Sequence, residues 1–239
     1  MPAGEPVIEQ MDSLLSAWEA GGDPRRIFLG CYRMMTENML VALQSGTFED
    51  APWVTSLLDG FAAYYFRALA AYEQGSAAAP AVWRYAFDAS RSPKIHVLQN
   101  LVLGVNAHIN YDLVFALSDV LGPEWEGLSA EQRQMRYRDH GHVNDIIIQT
   151  IDAVQDQIVE RYAPGFRVID TLLGPLDEWM TGWMISDWRE EVWQHAVRLI
   201  ELPAEDERLA YARQVERSSV TRAQSILGQE GLLGLAELV

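Results

Sequence analysis

Cysteine and lysine are almost missing from this sequence. Its single cysteine, Cys31, excludes an internal disulfide and any zinc ribbon built from cysteine pairs. Cys31 lies beside apolar residues such as Phe28 and Leu29, which predicts a buried structural thiol rather than a nucleophile. Because Lys94 is the single lysine, the remaining basic side chains are arginines.

Positive charge is scarce. The chain has 18 Lys and Arg residues against 34 Asp and Glu residues, and its formal net charge is −16. Nucleic acids and anionic membranes select for clustered basic side chains, and the sequence has no such cluster. We therefore expect neither nucleic acid nor a membrane as a partner, and we expect a small molecule instead.

Long apolar runs are also missing. No stretch reaches the roughly 18 uninterrupted apolar residues typical of a membrane span. The first ten residues, MPAGEPVIEQ, have neither the basic region nor the apolar run of a signal peptide. The sequence therefore predicts a cytoplasmic protein.

Several familiar catalytic motifs do not occur. The sequence has no GxGxxG, GxxxxGK[ST], HExxH or GxSxG, so nucleotide-binding, zincin and α/β-hydrolase chemistry has no support. It also lacks the ExxH pairs of ferritin-like di-iron proteins, which argues against an oxygenase.

Helical periodicity dominates what is present, and no run alternates apolar with polar residues as a strand does. The 239 residues, 49% of them hydrophobic, can bury a sizeable core and show no internal repeat. We predict one all-α domain over 1–239, a multi-helix bundle around a buried central helix at about 95–121. The segment 203–239 is predicted as a peripheral C-terminal helix and tail.

Capping residues and glycines set the predicted helix boundaries. Ser129 and Gln132 form a capping box, and Gly141 inside the same helix suggests a kink or a close backbone approach. The apolar tail after Leu227 is expected to dock on the body or to form a homodimer contact. The predicted helices cover 5–20, 24–44, 52–73, 81–89, 95–121, 129–162, 166–173 and 203–227, with a Trp-rich segment at 175–202.

The central helix reads LQNLVLGVNAHINYDLVFAL over 98–117 and is apolar on every side, so it must be buried. It nevertheless carries Asn106, His108, Asn110 and Asp112 near its middle. A buried polar side chain without a partner costs about 1 to 3 kcal/mol, so other segments must supply partners. At 100° per residue, His108 and Asp112 share one face, and the two asparagines share nearly the opposite one.

The pair His108 and Asp112 predicts a metal site, because such pairs ligate metals inside helical bundles. A second constellation, HGHVND at 140–145, places His142 and Asp145 on one face of a neighbouring helix. His108, Asp112, His142 and Asp145 together would suit Zn, Mn or Fe. Weaker candidates are Asp187 with His195, and Asp59 in the aromatic third helix.

Two other interpretations remain open for the same residues. His108 and Asp112 could form a buried hydrogen-bond network that fixes helix register, or could carry metal-free acid–base chemistry. Asp145 belongs to a polar stripe with Gln149, Asp152 and Asp156, a pattern more typical of a solvated face.

The leading hypothesis is a buried polar pocket that binds or transforms a small, partly apolar molecule. His108 would be a metal ligand or general base, while Asp112 and Asp145 complete the metal shell or orient the imidazole. Asn106 and Asn110 are expected to fix the helix against its neighbours as well. The predicted substrate-binding residues are Tyr64, Tyr65, Trp83, Asn106, Asn110, Tyr111, Trp183 and Trp188.

Three segments resemble a bacterial family of unknown function, the DUF5995 family. They are LVLGVNAHINYDL at 101–113, WRYAFDAS at 83–90 and RDHGHVNDII at 138–147, and the resemblance extends over about 22–199. It implies no activity. The positions that match the family best are Asn106, His108, Asn110, Asp112, Asn144 and Asp145.

Three functions therefore remain open. The first is a metal-dependent hydrolase, since the HxxxD pair is also similar, in class only, to all-helical zinc phospholipase C and nuclease proteins. The second is a metal-free cyclase or isomerase with an aromatic-walled pocket. The third is a non-enzymatic binding or structural module that dimerises through the C-terminal helix and tail.

Overall fold

The structure, a computed structural model, describes residues 4–75, 77–163 and 182–228, and within these ranges it is helical without any strand. The all-α prediction is confirmed. The helix predicted at 166–173 lies outside the described residues. The helices are α1 Glu5–Gly21, α2 Arg26–Gln44, α3 Ala51–Glu73, α4 Ala81–Ser90, α5 Val97–Ala107, α6 Leu113–Leu121, α7 Ala130–Val154, α8 Glu160–Tyr162, α9 Gly182–Glu201 and α10 Glu205–Gly228.

Local capping explains where several helices begin and end. Gly22 ends α1 in the left-handed conformation, with a φ of 67° that favours glycine. Asp50 caps α3 by accepting a hydrogen bond from the Trp53 backbone N–H at 3.0 Å. The predicted capping box of α7 is present, since Ser129 and Gln132 exchange side-chain and backbone hydrogen bonds.

The central helix is the axis of the fold. It runs from Val97 to Leu121 as α5, a π-helical turn at His108–Asp112, and α6. Helices α2, α3, α4, α9 and α10 pack around it. This helix is long and apolar enough to cross a membrane, and 72% of its most apolar window is buried inside the protein. The central helix is hydrophobic on all sides because other helices pack against it on all sides.

Gly104 permits the close approach of α5 to α2. A Cβ placed at this position would lie 2.4 Å from ring atoms of Phe28. Gly141 behaves differently, because α7 continues through it without interruption and no atom lies within 4 Å of a Cβ placed there. The close backbone approach predicted at Gly141 is not present, and it occurs at Gly104 instead.

The C-terminal helix α10 is an integral part of the packing. It lies against α4 and α5 and buries Val215, Ser219, Ala223 and Ile226, which recur every three or four residues. Its apolar stripe covers one side of the central helix. The tail after Gly228 lies outside the described residues.

Candidate functional site

His108 and Asp112 form a hydrogen-bonded pair inside the π-helical turn. The His108 Nδ1 atom lies 3.0 Å from Asp112 Oδ2, and the two side chains are 5% and 1% exposed. A π-helical turn is an uncommon interruption of an α-helix and occurs frequently at functional sites. The predicted shared face of these two residues is therefore present, and the local backbone is unusual at the same place.

Trp83 on α4 holds the Asp112 carboxyl group. Its indole N–H lies 3.0 Å from Oδ1 and 2.9 Å from Oδ2, and the indole is fully buried. Asp112 therefore has a hydrogen-bond partner on two sides, Trp83 from α4 and His108 from its own turn. This arrangement fixes the carboxyl group, which in turn fixes the imidazole ring.

Burial sets the charge of this pair. Removal from water lowers the pKa of His108 well below its ordinary value. Burial also raises the pKa of Asp112 well above its ordinary value, although the Trp83 hydrogen bond acts in the opposite direction. Both shifts oppose an imidazolium–carboxylate ion pair, so His108 is a neutral imidazole.

Aromatic rings enclose the imidazole of His108. Phe61 stacks on it with a centroid distance of 3.6 Å and an interplanar angle of 9°, and Tyr32 meets it edge-on at 4.2 Å. The second ring nitrogen, Nε2, is buried and has no hydrogen-bond partner among the described residues. A buried polar atom without a partner is costly, so this nitrogen requires an explanation.

His108 lines a cavity of about 170 Å³ between α2, α3, the central helix, α7 and α9. A cavity of about 150 Å³ is enough to hold benzene, so this one accepts a molecule of that size or slightly larger. Apolar residues form most of the wall. They are Phe28, Cys31, Tyr32, Met35, Met39, Trp53, Val54, Leu57, Leu58, Phe61, Leu101, Val102, Val105, Ile109, Leu113, Val143, Ile147, Ile151, Val154, Met184 and Ile185.

Most polar groups on the wall are already satisfied. The hydroxyls of Thr36 and Thr150 donate to backbone carbonyls one turn earlier in their helices. Asp139 accepts hydrogen bonds from the backbone N–H groups of Glu49 and Asp50, both at 2.8 Å, and so holds the loop before α3. Like His108, Trp53 has a buried nitrogen that is not satisfied: its indole N–H has no partner among the described residues.

Arg189 of α9 and His140 of α7 also line the cavity, and each holds the other in place. Arg189 Nη2 donates to the His140 carbonyl at 2.6 Å and lies 3.2 Å from His140 Nδ1, while His140 Nε2 lies 3.0 Å from the Arg189 carbonyl. These contacts require the tautomer in which His140 donates from Nε2 and accepts at Nδ1. Burial and the Arg189 charge lower the pKa of His140 well below its ordinary value, so it is neutral.

The four predicted metal ligands do not come together. Among the described residues, no group of three or more His, Cys, Asp or Glu side chains is arranged to hold a metal ion. His142 is 40% exposed and lies 3.8 Å from Asp139, and Asp145 is exposed on the outer face of α7. Neither lines the cavity with His108. Asp145 therefore belongs to a solvated stripe, and it does not orient the imidazole.

Aromatic residues predicted to bind substrate lie behind the wall or outside it. Tyr65 and Trp83 are buried one layer away, where they pack against each other and against Phe28. The others face different partners: Tyr64 donates to Asp119, Tyr111 packs on Phe115, and Trp188 lies under the Arg222 guanidinium. The side chain of Trp183 lies outside the described residues. The cavity is instead lined by aromatic side chains of α2 and the inner face of α3.

Asn106 and Asn110 serve the docking of α10. Asn106 Nδ2 donates to the Ser219 carbonyl at 2.9 Å, and the Ser219 hydroxyl donates to the Asn110 carbonyl at 2.8 Å. Asn110 Nδ2 donates to Asn106 Oδ1, and Arg222 donates to Asn110 Oδ1. The prediction that they fix the helix against its neighbours holds, and the same contacts keep them from the cavity.

The weaker candidates lie apart from the cavity. His195 Nδ1 is 2.7 Å from the Tyr211 hydroxyl, and burial lowers the pKa of His195. Asp187 and Asp59 are exposed. None of these three residues lines the cavity wall.

Arg189 and Trp53 are site residues that the sequence analysis did not identify, and Arg189 had a recognisable signal. It falls in the apolar stripe of α9, where Ile185, Val192 and Ala196 recur at helical spacing around it. Arginine in such a stripe is the pattern that could have revealed it. His140 could be recognised in the same way, since it lies in a stripe of α7 with the apolar residues Val143 and Ile147.

Comparison with known proteins gives a family and nothing further. No curated protein and no solved structure matches the chain. The family model described as "Family of unknown function (DUF5995)" matches residues 5–229. The three segments that resemble this family provide Trp83, the His108–Asp112 pair and the His140 contact with Arg189. The match spans nearly the whole chain, and the protein therefore belongs to the DUF5995 family.

Proposed function

We propose that this protein is a metal-free enzyme of the cyclase or isomerase type, which moves a proton on a small, mostly apolar substrate. The observation that carries the proposal is the state of His108. Its Nδ1 is held by Asp112, its buried Nε2 has no described partner, and the residue lines an apolar cavity of about 170 Å³.

His108 would be the catalytic base. In the tautomer that carries its proton on Nδ1 and donates it to Asp112, the Nε2 lone pair can take a proton from a bound molecule. Asp112 and Trp83 would act as positioning residues, since they fix the ring and the tautomer without touching the substrate. These three roles involve only atoms of the described residues.

Trp53 would supply the complementary group. Its unpartnered indole N–H can donate a hydrogen bond to a substrate oxygen on which negative charge develops when His108 removes a proton. In an apolar cavity such a hydrogen bond is stronger than it would be in water. Among the nitrogens that have no partner in the described part of the chain, His108 Nε2 would thus be the proton acceptor and Trp53 Nε1 the hydrogen-bond donor.

Isomerisation or cyclisation fits a single base. His108 can take a proton from one carbon and return it to another, so that the step balances without a second reactant. The hydrolase hypothesis has less support, because the described part of the chain offers no group of three metal ligands. The proposal also includes a small-molecule substrate and a cytoplasmic location for the protein.

Hydrogen–deuterium exchange tests the proposal without knowledge of the natural substrate. Cyclohexanone and acetophenone are apolar ketones of suitable size with acidic C–H groups, and their exchange in D2O is followed by mass spectrometry. The full chain should accelerate exchange, and His108→Gln should reduce the acceleration by about 10²-fold or more. His195→Gln, a histidine change away from the cavity, is the matched control and should keep the activity.

Three results would overturn this function. They are exchange no faster than in buffer, equal exchange by the wild type and His108→Gln, and loss of exchange on treatment with a chelator. The last result would favour the metal-dependent alternative.

A further inference from the structure

We infer that Arg189 is an anion-binding residue and that the ligand of the cavity is a small monocarboxylic acid with an apolar body. This inference rests on the proposed function only in using the same cavity. It adds the chemical class of the ligand and the residue that would recognise it.

Within the described ranges, Arg189 is a buried cation without a matching anion. It is only 4% exposed, and no Asp or Glu among the described residues lies within ion-pair distance of it. Burial lowers the pKa of its guanidinium to about 9, which still leaves it charged at neutral pH. Burying an unpaired charge costs several kcal/mol, so the site gains stability when a ligand supplies the missing negative charge.

The guanidinium is held rigidly. Nε donates to Asn144 Oδ1 at 2.7 Å, and Nη2 donates to the His140 carbonyl at 2.6 Å. No hydrogen bond joins Nη1 to any residue in the described ranges. Two of the three nitrogens are thus used to orient the group, and Nη1 is the nitrogen left for a ligand. A charged N–H donor fixed in this way forms a strong hydrogen bond with a carboxylate oxygen.

The rest of the wall selects the type of anion. Arg189 is the one Lys or Arg among the residues that line the cavity, and His140 beside it is neutral. Asp139 adds a negative charge whose two oxygens are already bound to backbone N–H groups. One cation matches a monoanion, whereas a phosphate dianion would need further positive charge. The apolar wall residues then match a hydrocarbon body.

The cavity volume guides the choice of probe. Since about 150 Å³ suffices for benzene, a cavity of about 170 Å³ fits a short-chain or single-ring acid. Hexanoate and benzoate are suitable probes. Hexanamide and benzamide have nearly the same shape without the charge, so each pair isolates the contribution of the carboxylate.

The test is isothermal titration of the full chain at pH 7 with both matched pairs. We expect each carboxylate to bind about tenfold or more tightly than its amide. Arg189→Gln should abolish this preference. Arg222→Gln removes a cation that is not on the cavity wall and should keep it.

Failure of this inference is distinct from failure of the proposed function. Equal or weaker binding of the carboxylates overturns the inference, and ketone exchange that depends on His108 would still support the function. A carboxylate preference that survives in Arg189→Gln also overturns the inference. If Arg189→Gln does not fold, the comparison of each acid with its amide on the wild type decides alone.

Discussion

The indole N–H of Trp83 donates to both carboxyl oxygens of Asp112, at 3.0 and 2.9 Å, in the interior of the protein. Since Asp112 also contacts His108, the tryptophan reaches the imidazole through the carboxyl group. Trp83 therefore connects α4 to the π-helical turn, and one interaction affects both the stability of the fold and the orientation of the proposed base.

Trp83→Phe keeps most of the apolar volume and removes the hydrogen-bond donor to Asp112. We expect the free energy of unfolding to fall by about 1 to 3 kcal/mol beyond the lost packing, because a buried acceptor loses its partner. Urea unfolding measures the loss. In an Asp112→Leu background the same change should cost at least about 1 kcal/mol less, and equal costs in both backgrounds would refute the coupling.

Val102 and Val114 are a matched pair on the central helix. Both are buried, but Val102 lines the cavity and Val114 does not. Val114→Phe should cost about 1 to 3 kcal/mol through overpacking, whereas Val102→Phe should cost at least about 1 kcal/mol less because its ring can enter the cavity. Thermal and urea unfolding compare the two variants. Similar losses would mean that the cavity does not accept a ring.

Gly104 and Gly141 are another matched pair, both within helices. Gly104→Ala should be destabilising by about 1 to 3 kcal/mol, because its Cβ would meet the Phe28 ring at 2.4 Å. Gly141→Ala should be stabilising by about 0.5 to 1 kcal/mol, since its surroundings are open and alanine favours helix. Unfolding in urea gives both values, and the prediction fails if the two changes have the same sign.

His140 makes stability depend on pH. Its folded-state pKa is depressed, while an unfolded histidine titrates near pH 6.5, so below about pH 6.5 the unfolded chain binds more protons. The free energy of unfolding therefore falls as the pH falls through this range. His140→Gln should make the decline shallower by up to about 1.4 kcal/mol per pH unit.

Urea unfolding at pH 7, 6 and 5 measures the two slopes. The contributions of the His108 and Asp112 pair cancel in the comparison, because both proteins contain it. Parallel pH profiles for the wild type and His140→Gln would show that His140 titrates normally in the folded protein.

Sequence patterns predicted the helices and the two faces of the central helix well. Hydrophobicity on all sides placed that helix in the middle, and spacing alone paired His108 with Asp112 and Asn106 with Asn110. These are local properties of one helix, in which neighbours at i and i+4 are set by geometry. The π-helical turn could not be predicted, since no residue type in HINYD requires it.

The cavity wall was beyond sequence reasoning for a different reason. Tyr64 and Tyr65 are adjacent on α3, yet neither faces the cavity, whereas Phe61 one turn earlier stacks on His108. Which aromatic face meets the imidazole depends on how α2, α3 and α7 pack, and that is a long-range property. Arg189 was hidden similarly, because a charge in WREEVWQH suggests a surface until the apolar stripe around it is recognised.

The most direct test of the account is the comparison of wild type and His108→Gln for ketone exchange in D2O, with unfolding measured on the same samples. If His108 is the base, His108→Gln loses exchange by about 10²-fold or more, while the variant remains folded. The opposite result would be a wild type that does not accelerate exchange, together with a His108→Gln variant that is destabilised by several kcal/mol. His108 would then serve only to fix the packing of the central helix.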